Sequence, residues 1–173
     1  MTQDTGRLFS FTCKTRAAGR EPHTVVHAFR VVETVGALAL LGMRALYVER
    51  QRFVDGLPVI FEQRWLALPC FEGLTETQCE GSIYDAITRM GLCIGHSNQT
   101  IRAVLPSRSE QRMLNVPPAF ACLMVEGEGY SDAGEPLWME RTLYRGDQYE
   151  FYGHVKAGSE FVGQFAQHQE EEA

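Results

Sequence analysis

No apolar run in the 173 residues approaches the ~18 that a bilayer-crossing helix needs, and the opening MTQDTGRLFS lacks the basic and apolar regions of a secretory leader. The chain is therefore expected in the cytoplasm, without a membrane partner. An excess of basic residues is also missing. Asp and Glu number 22 against 16 Lys and Arg, a formal net charge of -6, which leaves no electrostatic footprint for nucleic acid. The five cysteines, Cys13, Cys70, Cys79, Cys93 and Cys122, are odd in number and show neither a C-x-x-C pair nor a metal spacing, so they read as reduced thiols, most of them buried. The five histidines, His23, His27, His96, His154 and His168, stand far apart. P-loop, G-x-S-x-G and strand-linked G-x-G-x-x-G patterns are absent. No catalytic residue, metal site or cofactor is assigned, and the chain is not expected to be an enzyme.

What is present is a globular composition, 45% hydrophobic and 22% charged, in a length that suits one domain with a proper core. The stretch Tyr47 to Trp65, YVERQRFVDGLPVIFEQRW, reads as two strands joined at Asp55-Gly56-Leu57, since Asp-Gly between two such runs is a strong hairpin signal. Alternation puts Leu46, Val48, Arg50, Arg52 and Val54 on one face and Tyr47, Glu49, Gln51 and Phe53 on the other. The position of Glu62 depends on the turn. A two-residue loop pairs Val54 with Leu57 and sends Glu62 to the opposite face, whereas a three-residue loop with a bulge pairs Val54 with Pro58 and sets Arg50 opposite Glu62. The second is favoured because it leaves Pro58 beside the turn. Two guanidiniums and a carboxylate on one face suit a ligand that is anionic at one end and rich in donors at the other. Cross-strand ion pairs on a solvated hairpin are the plain alternative.

Around the hairpin the chain alternates short helices and strands. Ser10 to Ala18 is expected as a helix capped by Ser10, whose start at Ser10, Phe11 and Thr12 offers backbone N–H groups and two hydroxyls to an anion. Thr24 to Thr34 follows as a strand and Val35 to Leu41 as a short helix. Ser82 to Met90 is a capped helix with Ile83, Ile87 and Met90 buried, its start at Ser82 and Tyr84 a second candidate anion seat. Leu92 to Leu105 is a strand, Ser107 to Leu114 a helix, and Ala119 to Tyr130 with Leu137 to Arg145 a second hairpin, in which Gly127-Glu128-Gly129 reads as a bulge or flexible edge. Tyr149 to Val155 is a last strand. Runs of antiparallel strands interrupted by short helices define an α+β fold. Residues 1–7 are expected to be a disordered lead, 8–156 the domain and 157–173 a polar, disordered tail.

The residues so placed resemble the UTRA domain, the effector-binding half of regulators in the HutC branch of the GntR superfamily. The resemblance runs from about Leu8 to Val155. It is carried by the SFT…R..G..P pattern at Ser10 to Pro22, by R.R..dG.Pv..E at Arg50 to Glu62, and by SiY..i…G at Ser82 to Gly91. Two further patterns follow, R..L.v at Arg112 to Val116 and G.P……YRGD.Y.F at Gly134 to Phe151. It implies a chorismate lyase-like fold, an antiparallel sheet with short helices packed on it and a ligand pocket between them. It also implies a homodimeric transcriptional repressor that binds DNA through an N-terminal winged helix-turn-helix absent from this chain, and a small anionic effector. The ligand-binding positions it implies are Arg50, Arg52, Glu62, Ser82, Tyr84, Ser10, Phe11, Thr12 and Tyr144, with Glu62 taking hydroxyl or amide donors. Trp138 stands where the family often has an acid, and a ligand-facing indole there would favour an aromatic or apolar effector. A chorismate lyase-like enzyme working through Arg50 or Arg52 and Glu62, and a module that only dimerises, are the readings from other classes.

Overall fold

A computed structural model describes residues 2–4 and 11–152. Thirteen elements follow in order: β1 (Thr2–Asp4), α1 (Phe11–Ala17), β2 (Pro22–Glu33), a 3-10 helix (Gly36–Leu41), β3 (Arg44–Val54), β4 (Leu57–Ala67), α2 (Glu76–Cys79), α3 (Ile83–Arg89), β5 (Ile94–Val104), α4 (Arg108–Leu114), β6 (Cys122–Ser131), β7 (Pro136–Arg145) and β8 (Glu150–Tyr152). Six strands form one antiparallel sheet in the order β2-β3-β4-β7-β6-β5. Part of the lead expected to be disordered is instead a strand, since β1 pairs in parallel with β8. Ser10 and the expected tail at 157–173 lie outside the described residues.

The central hairpin reaches the expected pairing by a different route. Asp55 and Gly56 both take positive φ, 50° and 80°, so the loop is the two-residue kind and Val54 pairs with Leu57. The extra residue enters one step later: Phe53 pairs with Pro58 and Arg52 with Ile60, leaving Val59 as a bulge that restores Arg50 opposite Glu62. The tip is tied down by the Asp55 carboxylate, which accepts from the Glu21 backbone N–H at 2.9 Å and from Arg20 Nε at 2.8 Å.

Both faces of the sheet are covered. On one, α2 and α3 bury Cys79, Ile83, Ala86 and Ile87 against Leu46, Val48, Leu66 and Trp138, while Phe11 of α1 joins Val54, Ile60, Tyr144 and Tyr149. On the other, Leu114 of α4 meets Phe61, Cys122, Met124 and Leu143, and Leu41 of the 3-10 helix meets Ala45 and Ala67. The caps read from sequence are formed: Ser82 Oγ accepts from Asp85 N, and Ser107 makes a capping box with Glu110. Of the four described cysteine side chains, Cys79 and Cys122 are buried, Cys70 is intermediate and Cys93 is exposed. The expectation that most are buried therefore holds for half of them.

Candidate functional site

Period-two alternation and register together place the charged residues. Arg50 and Arg52 of β3, Glu62 and Arg64 of β4, and Trp138, Glu140, Thr142 and Tyr144 of β7 share the face that α1, α2 and α3 cover, because Arg50 pairs with Glu62, Glu62 with Thr142, Arg64 with Glu140 and Ile60 with Tyr144. All of these residues are buried, Arg50 with 1% of its surface exposed. The solvated-hairpin alternative is therefore excluded for this face.

Within it, four side chains form a charge-balanced row. Arg50 Nη2 donates to Glu62 Oε2, and its Nη1 donates to the carbonyls of Cys79 at 2.7 Å and Gly81 at 3.0 Å. Arg64 Nη2 donates to Glu140 Oε2 at 2.6 Å, while Arg64 Nε lies 3.0 Å from Glu62 Oε1 without the alignment of a hydrogen bond. Glu140 also accepts from Gln99 Nε2 at 3.0 Å and from Thr142 at 3.4 Å. Burial alone would raise the Glu62 carboxyl, but the guanidiniums of Arg50, Arg64 and Arg52 hold it at about 2. Burial works against the Arg64 cation and is outweighed, chiefly by Glu140, so its pKa stands well above the ordinary value.

Arg52 is outside this balance. Among the described residues it has no ion pair. Its Nη2 reaches only the Gly81 carbonyl at 3.2 Å and Thr12 Oγ1 at 3.4 Å, and its Cζ sits 4.4 Å from the centre of the Phe11 ring. Burial, and then the like charge of Arg50, lower its pKa to about 10. Two arginines against one carboxylate on β3 and β4 thus become three against two once Arg64 and Glu140 are added, and the surplus cation is Arg52.

Phe11 and Thr12 of α1 close on Arg52, Tyr144 belongs to the same packed group as Phe11, Arg50 pairs with Glu62, and both arginines reach the Gly81 carbonyl, next to which Ser82 stands. Ser82 Oγ is occupied as a cap, accepting from Asp85 N at 3.2 Å. Tyr84 and Trp138 form a second group around Arg64, whose Cζ lies 5.2 Å and 5.5 Å from their ring centres, the two rings meeting edge to face at 5.9 Å. Trp138 has no exposed surface. It is packed into the wall under Arg64 and Tyr84, and its ring crosses Gly129 of β6 so closely that a Cβ there would stand 2.1 Å from it. Glu62, expected to meet a ligand's donors, already has Arg50 and Arg64 beside it. Sequence reasoning missed Arg64, Glu140 and Tyr149. The first two could have been found by extending the alternation one step past Glu62 and across to β7. Tyr149 follows the YRGD pattern and packs against Tyr144 with ring centroids 4.8 Å apart and planes tilted by 58°, and burial raises its hydroxyl's pKa. No group of three or more His, Cys, Asp or Glu that could hold a metal occurs among the described residues.

Comparison with known proteins places the chain in a family and matches its fold. The UTRA domain family model matches residues 17–150. The mannosyl-D-glycerate transport/metabolism system repressor MngR of Escherichia coli is 28% identical over 109 residues, covering 62% of this chain and 45% of that protein. The HTH-type transcriptional repressor NagR of Bacillus subtilis is 24% identical over 157 residues, 87% of this chain and 65% of its own length. The chain thus spans only about half to two thirds of these curated relatives. Among solved structures, the effector domain of PhnF from Mycobacterium smegmatis superposes with a TM-score of 0.82 at 26% identity, covering 91% of this chain and all of that one.

Proposed function

The chain belongs to the UTRA domain family, and on that footing we propose that it is the effector-binding part of a GntR-family repressor of the HutC type, sensing a small anionic metabolite. The observation that carries the anion is Arg52, a buried guanidinium with no carboxylate partner among the described residues. A buried charge left unpaired is expensive, and an anionic ligand removes that expense. Tyr144 and Tyr149 bring hydroxyls toward the same cation, and Phe11 and Thr12 close it from α1. Glu62, ionised and flanked by Arg50 and Arg64, is poorly placed to donate a proton near neutral pH, which favours sensing over a lyase reaction. The same reading gives a cytoplasmic homodimer, the open edges β2 and β5 of the sheet offering a physical motive for self-association, and a DNA-reading unit outside these 173 residues.

The test is calorimetry with inorganic phosphate and simple alkylphosphonates on the wild type, Arg52→Met and Arg52→Lys. A charge-assisted contact of this kind is worth about 1.5–3 kcal/mol, so Arg52→Met should weaken binding roughly 10- to 150-fold. Lysine should restore only part of it. Without ligand, Arg52→Met should melt no lower than the wild type, because the substitution removes an uncompensated buried charge. Equal affinity in all three proteins would show that the anion sits elsewhere.

A further inference from the structure

Among the described residues, the buried side-chain polar atoms without a hydrogen-bond partner are not scattered. They are Arg50 Nε, Arg52 Nε, Arg64 Nε and Nη1, Trp138 Nε1 and Ser97 Oγ. All lie on the sheet face covered by α1 to α3, in a line from β3 across β4 and β7 to β5. Ser97 belongs to it through register: it pairs with Gly129, which pairs with Trp138. Gly129 has no side chain to separate them, and the six-membered ring of the indole lies over it through Cζ2, Cε2 and Cη2, Cε2 being the carbon bonded to Nε1.

The chemistry of the line is one-sided. Every member except the Ser97 hydroxyl is an N–H that can only donate. The nearby acceptors are engaged: Glu62 faces Arg50 and Arg64, and Glu140 takes Arg64, Gln99 and Thr142. The Tyr84 hydroxyl is a hydrogen-bonding neighbour of Arg64, yet Nη1 meets no partner in hydrogen-bond geometry. A hydroxyl can accept from these N–H groups but brings a donor of its own to a wall where both carboxylates already face guanidiniums, so an acceptor that carries no proton fits it better. An apolar ligand would leave the N–H groups unpaired, at the full cost of their desolvation.

Resting on the anion reading of Arg52, we propose that the effector is a two-ended acceptor. Its acidic group meets Arg52, and a second acceptor, a carboxylate or carbonyl, is received at the far end by Trp138 Nε1 and Arg64 Nη1 with Ser97 beside them. Trp138 is then a specificity residue that acts through its N–H and sets a preference for acceptors at that end. The apolar or aromatic effector expected from the indole alone is replaced by this one.

The test uses two matched series on the 173-residue protein, alkylphosphonates and ω-carboxyalkylphosphonates of two to six methylenes, with inorganic phosphate as the one-ended probe. At one length the carboxylate member should bind about tenfold or more tighter than its methyl-terminated counterpart, as a charge-assisted contact provides. Trp138→Phe, which keeps the ring and removes the N–H, should reduce that preference by severalfold and leave phosphate affinity unchanged. Equal binding of the two series at every length, with Arg52→Met still weakening both, overturns the two-ended effector and leaves the anion seat standing. A preference that survives Trp138→Phe intact overturns the assignment to the indole. Failure of phosphate and both series to bind removes the anion seat and this proposal together.

Discussion

Glu62 is the residue on which the charge balance of the buried face turns. With one carboxylate oxygen toward Arg50 and the other toward Arg64, its folded pKa is about 2 against an ordinary 4.5. A depressed carboxyl contributes stability that is complete above the unfolded value and is lost as pH falls through the folded one. For Glu62 that window runs from about 4.5 down to about 2. Glu62→Gln keeps the shape and removes the titration. It should flatten the decline of stability between about pH 5 and pH 3, and it should also destabilise the protein at pH 7, by about 3–5 kcal/mol if the cost matches that of breaking a typical buried pair. Urea melts across this pH range measure both effects. An unchanged slope in the variant would mean that other carboxylates govern acid unfolding and that Glu62 titrates near its ordinary value.

At the scale of elements, the hairpins of β3 with β4 and of β6 with β7 were largely legible and the pairing of β4 with β7 was not. Alternation over Leu46 to Val54 is local, so the common face of Arg50 and Arg52 could be read directly. The turn could be narrowed only to two geometries. Asp55 and Gly56 adopt the two-residue form, and the one-residue offset that returns Glu62 to the face comes from a bulge at Val59 that no turn residue announces. The row continuing through Arg64 and Glu140 depends on two strands separated by 76 residues in sequence, and nothing local fixes that register. Gly127-Glu128-Gly129 looked like a bulge or edge for the same reason. A register shift does occur beside it, between Gly129 and Tyr130, but β6 is an interior strand and the glycines are required by what crosses them. A Cβ on Gly129 would meet the Trp138 ring first, whereas one on Gly127 would stand 2.2 Å from the backbone oxygen of Asn98. Gly129→Ala should therefore cost about 1–3 kcal/mol as an overpacked core, and much of that should be recovered in Gly129→Ala/Trp138→Leu. Gly127→Ala should be at least as damaging and gain nothing from Trp138→Leu. Thermal melts of the two glycine variants, Trp138→Leu and both double variants, compared with the wild type in two double-mutant cycles, would show coupling at one glycine and none at the other. Coupling absent at Gly129 would mean that the indole does not lie across it.

At the scale of the whole molecule, the sheet and its helical cover divide the work. Six strands fix Arg50, Arg52, Glu62 and Arg64 in register, while the Arg52 guanidinium is closed over by Phe11 and Thr12 of the seven-residue helix α1. A ligand drawn to Arg52 would tie α1 to the sheet. In the proposed reading the DNA-reading unit precedes α1, so the ordering of that helix is the mechanical signal that binding could send. The chain itself is ill suited to hold DNA. Its net charge is -6, its buried cations are turned inward, and the row of Arg50, Glu62, Arg64 and Glu140 is neutral. Sequence-specific affinity needs phosphate neutralisation to position the protein and a helix or strand in a groove to read bases, and the helices α1 to α4 are committed to the sheet. Residues 1–173 should accordingly enrich no sequence from a random duplex pool at physiological salt, with or without phosphate or the phosphonates that bind best. Enrichment of a defined site by this chain alone, reversed by Arg52→Met or indifferent to it, would end the division of labour on which the proposed function depends.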